Sequence, residues 1–385
     1  MEPIYLDHNA TTPLAPEVLE AMRPHWLAAG NAESRHAAGR GARRALDGAR
    51  EAVARILGAE PAEVVFTSGG TEANNLAIFG LTCQADGPGH LLSSPIEHPA
   101  VAGPVAHLEA GGWQVDRPEV GRDGLADADA MADALRPETR LATLILAHNE
   151  TGAIQPVGRL AALASGPGVP VHTDAVQAVG RVPVDFHALG VATLAASAHK
   201  FHGPAGVGLL LVRRGIAIAP RLRGGGQQGG VRPGTEPVAL AVGLAVALEQ
   251  WQAEAAARIA RWVALRDRLE GGLVSALGPG AVARNGPADD ASRLPQTLHV
   301  GFPGLDGDAL LMQLDLAGVA ASLGSACASG STQASPTLLA MRVPADRLRS
   351  SVRFSLGAAT TAAQVDDALA RIVAAVRRIT PTGRQ

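Results

Sequence analysis

The chain is predicted to be an α/β protein. A large domain carries a mainly parallel, seven-stranded sheet covered by helices, and a smaller α+β domain follows. Three observations predict this. From about residue 14 to residue 255, short apolar runs alternate with amphipathic stretches, the pattern of repeated strand–helix units. Several runs are apolar throughout, as strands buried on both faces must be. Unusual polar clusters follow four of the runs, at the strand ends where ligands of such sheets sit.

The seven expected strands are Glu63–Thr67, His90–Ser94, Gln114–Arg117, Leu141–Ala147, Val169–Asp174, Thr193–Ser197 and Val207–Val212. Between them, Arg40–Leu57 and Thr71–Leu81 space their apolar residues as helices do. The longest apolar run, Val238 to Leu248, is too short to cross a bilayer and reads as part of a buried helix. A long helix from about Ala239 to Gly271 leads into the second region. There, strands are expected near Gln296–Gly301 and Ser351–Ser355, and helices near Asp306–Leu316 and Ala362–Arg378. The division expected is 14–255 for the large domain, with 1–13 and 256–385 forming the small one.

Composition narrows the function. Hydrophobic residues make up 47% of the chain but aromatics only 3%, so the cores are built from Ala, Val and Leu, and a base-stacking surface is not expected. The net charge of −3 points to no nucleic-acid or membrane partner. Residues 1–7 show no basic region followed by an apolar stretch, so no secretory signal is expected. Cys83 and Cys327 make neither a disulfide framework nor a zinc site, and a reducing, cytoplasmic setting is the default. His199 and His202 are three apart, but nothing completes a ligand set, so no metal is expected.

Of the 33 Lys and Arg residues, only Lys200 is lysine. Arginine supplies every other fixed positive charge, so the survivor is expected where guanidinium fails. Only lysine can lose its proton and attack a carbonyl. A nucleophilic amine points to a Schiff base, most commonly with pyridoxal phosphate (PLP). Ser197 and His199 beside it can hold a phosphate. Asp174 ends a strand 26 residues earlier, one β-α-β step away, and can pair with a protonated pyridine nitrogen. Gln177 can reach the phenolic oxygen of the same ring.

Gly69-Gly70-Thr71 joins a strand to a helix, where backbone and dipole favour an anion. Read alone, it is an ordinary turn capped by Ser68 or Thr71. Asp174 alone reads equally as a helix cap, and His98 alone as a helix-start histidine, although a flat imidazole can also stack on a cofactor and move protons. Cys327 lies among Ser, Ala and Gly, as suits a thiol on a loop. Cys83, by contrast, reads as a small buried hydrophobe. Arg353 interrupts a strand-like run. It serves either a substrate carboxylate or the solvent.

Together these segments resemble the cysteine desulfurases of the NifS/IscS type, fold-type I PLP enzymes of the class V aminotransferase family. The matching stretches run in family order. They include Tyr5-Leu6-Asp7-His8-Asn9-Ala10-Thr11-Thr12-Pro13, Thr67-Ser68-Gly69-Gly70-Thr71-Glu72, Glu97-His98, His148-Asn149-Glu150, His172-Thr173-Asp174-Ala175-Val176-Gln177, Ser197-Ala198-His199-Lys200, Arg232-Pro233-Gly234-Thr235, Gly324-Ser325-Ala326-Cys327 and Arg353-Phe354-Ser355. The resemblance implies that Lys200 holds PLP and later shuttles the Cα proton. His98 stacks on the ring and assists. Gly70, Thr71, Ser197 and His199 bind phosphate, and Thr235 reaches the phosphate of the other subunit of a homodimer. Asn149 and Arg353 hold the substrate carboxylate, and Cys327 takes the sulfur of L-cysteine as a persulfide for an acceptor such as an iron–sulfur scaffold. The chain departs from the family at Gly30-Asn31-Ala32-Glu33-Ser34, at Gln227-Gln228-Gly229-Gly230, which lacks a charged pair, and at Leu323. Two other outcomes keep the fold: a selenocysteine lyase or another PLP lyase or aminotransferase, and a non-catalytic sulfur-trafficking or assembly subunit.

Overall fold

The computed structural model describes residues 2–83, 87–323 and 334–380. In chain order the strands are β1 (Ile4–Tyr5), β2 (Val64–Thr67), β3 (His90–Leu92), β4 (Gln114–Asp116), β5 (Thr139–Thr143), β6 (Val171–Asp174), β7 (Thr193–Ser197), β8 (Gly208–Val212), β9 (Ala283–Arg284), β10 (Thr297–Gly301), β11 (Val319–Ala320), β12 (Ser322–Leu323) and β13 (Ser351–Ser355). The helices are α1 (Pro16–Leu27), α2 (Ala37–Leu57), α3 (Gly70–Thr82), α4 (Pro99–Ala110), α5 (Ala128–Asp133), α6 (Val157–Ser165), α7 (Phe186–Leu189), α8 (Val238–Leu277), α9 (Gly307–Leu316), α10 (Pro336–Ala340), α11 (Ala345–Leu348) and α12 (Ala362–Ile379).

Seven strands form one sheet in the order β2-β8-β7-β6-β5-β3-β4. All are parallel except β8, which is antiparallel to both of its neighbours. The expected sheet is thus present, mainly parallel. Alternation along each strand sorts side chains between its two faces. Val65, Ala195 and Leu210 pack with Ala73, Leu76 and Ala77 of α3. Val64, Phe66, Leu194, Ala196, Leu209 and Leu211 face the opposite way, into a larger core with residues of α2, α6 and α8.

The sheet edge at β2 is closed by two side chains, Arg50, whose Nε donates to the Val64 carbonyl at 3.3 Å, and Gln228. Gln228 accepts from the Phe66 N–H at 2.8 Å and donates to the Phe66 carbonyl at 2.6 Å, standing in for a neighbouring strand. Where the family pattern expects a charged pair, this chain has an amide that pairs with backbone.

A second sheet, in the order β12-β13-β10-β9, is antiparallel. Its core joins Leu298, Val300, Phe354 and Leu356 to Trp262, Leu265 and Leu269 of α8 and Val365 and Ile372 of α12. Ile4 and Leu6 belong to this core, because β1 pairs with β11 and Asp7 bridges to Ser355. The N-terminal strand therefore packs with the C-terminal third. Residues 8–13 then cross to the large sheet. Cys83 differs from expectation. It caps the C-terminus of α3 beyond the last buried turn and is exposed. Among the described residues, no helix is long and apolar enough to cross a membrane.

Candidate active site

The C-terminal ends of β2, β3, β5, β6 and β7 open on one cleft. Of the residues expected from the sequence, Gly70, Thr71, His98, Asn149, Asp174, Gln177, Ser197, His199 and Lys200 line it. Arg353 and Thr235 are not among its lining. Arg353 is buried in β13 beside the cleft, and Thr235 is exposed. Cys327 lies outside the described residues.

Lys200 sits in a single 3-10 turn directly after β7. Its Nζ donates to the backbone carbonyls of Asn9 (2.7 Å) and Ala10 (2.8 Å), so the crossing N-terminal segment forms one wall of the site. Buried Arg181 secures that wall with bonds to the His8 carbonyl (2.7 Å) and the Lys200 carbonyl (3.1 Å). Sequence reasoning missed Arg181. In a chain whose cations are nearly all arginine, one more arginine gives no signal.

The phosphate end is built from α3 and β7. Neither Ser68 nor Thr71 caps α3. The N-cap is Gly69, which offers no side-chain cap, and Glu72 of the first turn accepts from the Ser68 N–H (2.6 Å) rather than from the helix itself. The first N–H groups of α3 thus remain available to an anion. A Cβ on Gly70 would lie 2.6 Å from Val176 Cγ2, so this approach requires glycine. Burial, with the charges of Lys200 and Arg181, lowers the His199 pKa to about 4, so it is neutral at pH 7 and its ring N–H can donate.

Asp174 accepts from the Val176 N–H (2.9 Å), which closes a turn rather than capping a helix, and from Asn74 Nδ2 (2.6 Å). Gln177 donates to the Asn9 carbonyl at 3.0 Å, while its Oε1 is buried without a partner among the described residues. His98 is the helix-start histidine expected of it and also faces the cleft. It caps α4, with Nδ1 accepting from the Ala100 N–H at 3.1 Å, and it lines the cleft. In a neutral ring that bond places the hydrogen on Nε2. The neighbouring Glu97 is held at a pKa of about 8 by burial and then by the charge of Asp174.

Arg353 is buried, not solvent-facing. It donates to Asp7 Oδ1 (2.6 Å) and to the Asn149 carbonyl (2.9 Å), and its buried Nε has no partner among the described residues. Asp7 also accepts from Ser322 Oγ at 2.9 Å. On the other side of the same turn, Glu150 accepts from Ser335 Oγ at 2.6 Å and His148 Nε2 bonds Thr337 Oγ1 at 3.0 Å. Burial raises Glu150 to a pKa of about 7. Ser322 and Ser335, which flank 324–333, are therefore each tied to an acid beside the cleft.

This donor set fits PLP. It offers an open helix N-terminus with a hydroxyl and an imidazole for a phosphate, a carboxylate for a ring N–H⁺, an amide with unsatisfied capacity, and an amine. Among the described residues, no group of three or more His, Cys, Asp or Glu could hold a metal ion.

Residues 4–368 match the family model "Aminotransferase class-V". An "IscS-like cysteine desulfurase" of Mycobacterium tuberculosis is 43% identical over 381 residues, covering 97% of this chain and 96% of the relative. A "Cysteine desulfurase" of Cereibacter sphaeroides is 44% identical, covering 100% and 99%. Among solved structures, a "NIFS-LIKE PROTEIN" superposes with a TM-score of 0.90 at 32% identity, covering 97% of this chain and 98% of the other. "SspA in complex with cysteine" gives 0.81 at 34% identity, covering 93% and 100%.

Proposed function

We propose that this chain, which belongs to the class-V aminotransferase family and is a PLP-dependent cysteine desulfurase, works through Lys200, His98 and Cys327. The observation that carries the assignment is the placement of the only lysine in one cleft with Asp174, His98, Ser197 and His199.

In this reading Thr71, Ser197 and His199 hold the phosphate with the N–H groups of α3. Asp174 holds the ring nitrogen, Gln177 the phenolic oxygen and Lys200 the aldehyde. Bound PLP supplies an electron sink that acidifies the substrate Cα–H and makes the substrate sulfur electrophilic. Lys200 Nζ moves the proton at Cα, with His98 Nε2–H beside it. Asn149 and Arg353 orient the substrate carboxylate. The Cys327 thiolate attacks the substrate sulfur: an S–S bond forms, the substrate C–S bond breaks, and its electron pair takes up a proton. L-Cysteine and a thiol thus become L-alanine and a persulfide, with no outside oxidant. The persulfide sulfur then passes to an acceptor protein such as an iron–sulfur scaffold.

The same reading makes the enzyme a cytoplasmic homodimer. Exposed Thr235 is available to the partner's phosphate, and 14–255 serves as the PLP-binding domain against a smaller one formed by 1–13 and 256–385. The two separate cores support that division, although Leu294, Leu338, Met341 and Val343 join the larger core.

The test is release of alanine and sulfide from L-cysteine by PLP-loaded protein with a reductant, comparing wild type with Cys327→Ser. Equal release by wild type, and a mutant that shifts the cofactor spectrum without turnover, is expected. Normal turnover by the mutant would overturn the persulfide route and favour a selenocysteine lyase or aminotransferase.

A further inference from the structure

Three side chains have no task in that mechanism: Asn74, on the wall of the cleft, and His172 and Thr193 behind it. All three are 0% exposed. His172 lies on β6 two residues before Asp174, so the two share a strand face. Thr193 opens β7 directly across from His172 in the parallel register. Helix α3 covers this face and carries Asn74. The distances are continuous: Thr193 Oγ1 to His172 Nδ1 is 2.8 Å, His172 Nε2 to Asn74 Oδ1 is 3.0 Å, and Asn74 Nδ2 to Asp174 Oδ2 is 2.6 Å.

Elementary donor counting fixes the direction of every bond. A carboxylate only accepts, so the Asn74 amide must turn its Nδ2 toward Asp174 and its Oδ1 toward His172. Oδ1 only accepts, so His172 Nε2 carries the hydrogen. Burial holds the His172 pKa down at about 3, which leaves a single ring hydrogen at neutral pH. Nδ1 therefore accepts from Thr193. The opposite tautomer, donating from Nδ1 to Thr193, would turn the Asn74 carbonyl against the carboxylate.

Glu97 shows why this matters. It is a second buried acid near enough for Asp174 to raise its pKa. Two buried carboxyls so placed do not readily ionise together. Asp174 has a donor on each oxygen, whereas Glu97 Oε2 is buried with none among the described residues. The charge thus belongs on Asp174 and the proton on Glu97.

We propose that Thr193, His172 and Asn74 form a directed hydrogen-bond chain that holds Asp174 as an aimed carboxylate, which makes them positioning residues for the cofactor's ring nitrogen. The proposal rests on reading Asp174 as the partner of that nitrogen.

Nitrogen-15 NMR of histidine-labelled wild-type apoprotein tests the direction, with His172 assigned by the loss of its signal in His172→Gln. A neutral Nε2–H tautomer from pH 6 to pH 9 is expected, and an Nδ1–H tautomer or a cation overturns the proposal. Titration of the apoproteins with PLP tests the purpose. Asn74→Ala and His172→Leu should weaken PLP binding by about tenfold or more, the scale of a lost hydrogen bond to a charged group. His172→Gln should recover most of it, because its amide can again donate to Asn74. Equal binding by His172→Leu and His172→Gln would mean that His172 only packs, and the proposal would fail. Asp174→Asn separates the two claims. If it leaves PLP affinity unchanged, the reading of Asp174 fails. If it weakens binding while Asn74→Ala does not, only the chain fails.

Discussion

Replacing Glu97 with glutamine should remove an alkaline loss of stability that the wild-type protein carries. The Glu97 pKa is about 8 in the fold, against an ordinary value of 4.5. A raised acid pKa means that the folded state binds the proton more tightly than the unfolded chain does. Its stabilisation is complete below about pH 4.5, declines as pH rises, and is gone above about pH 8. The full span, about 3.5 units at ~1.36 kcal/mol each, is about 5 kcal/mol. Between pH 6 and pH 8 the decline is roughly 2 kcal/mol by the same linkage. For 385 residues at ~2 cal/mol/K each, that is about 3 °C in Tm. Glutamine preserves the acceptor for the Ile145 N–H but has no charge to bury. The assay is thermal unfolding of both holoenzymes at pH 6, 7 and 8. Glu150, with a pKa of about 7, titrates in the same window in both proteins, so the difference curve isolates Glu97. Parallel curves for the two proteins would refute the assignment of a proton to Glu97.

Asp7→Ala strands the buried Arg353 guanidinium. It should cost about 3–5 kcal/mol in urea unfolding and raise KM for L-cysteine, with Asp7→Asn milder on both counts. An unchanged KM would show that Asp7 does not orient the fork. Ser335→Ala removes the N-cap of α10 and the donor to Glu150 together, a loss of about 1–3 kcal/mol readable by urea unfolding. Gly70→Ala should weaken PLP binding through the 2.6 Å encounter with Val176, and adding Val176→Ala should restore it. Additive effects in that cycle would place the Gly70 defect elsewhere.

Much of this architecture was legible in the sequence because long apolar runs declare buried strands. Thr193–Ser197 and Ser351–Ser355 were read to the residue. The reversed direction of β8 was not, since an apolar run carries no polarity. The short link from Ser197 to Gly208 was the available signal, because parallel neighbours need a longer crossover. Strands β1, β9, β11 and β12 are two residues each, too short for any period to show. At the site, residues with distinctive chemistry were found and those acting through others were not. Asn74 and His172 sit at core positions that hydrophobic patterning assigns to apolar side chains, and only their partners reveal them. Cys83 was taken for a core residue because it follows an apolar helix, but the cover ends with the helix and Cys83 stands just past it, exposed.

Lys200 rests on the carbonyls of residues 9 and 10, and those residues are themselves fastened to the far end of the chain. The Asn9 N–H bonds Ser355 Oγ and Asp7 bonds Arg353, each across 346 positions. At ~5–20 residues per second of synthesis, the first of these partners waits roughly 20–70 s for the second to leave the ribosome. The wall of the cofactor cleft is therefore among the last parts of the molecule to close, although its residues are among the first made. Capture of the cofactor becomes a late event in biogenesis, and a truncated chain holds its lysine but not the cleft around it.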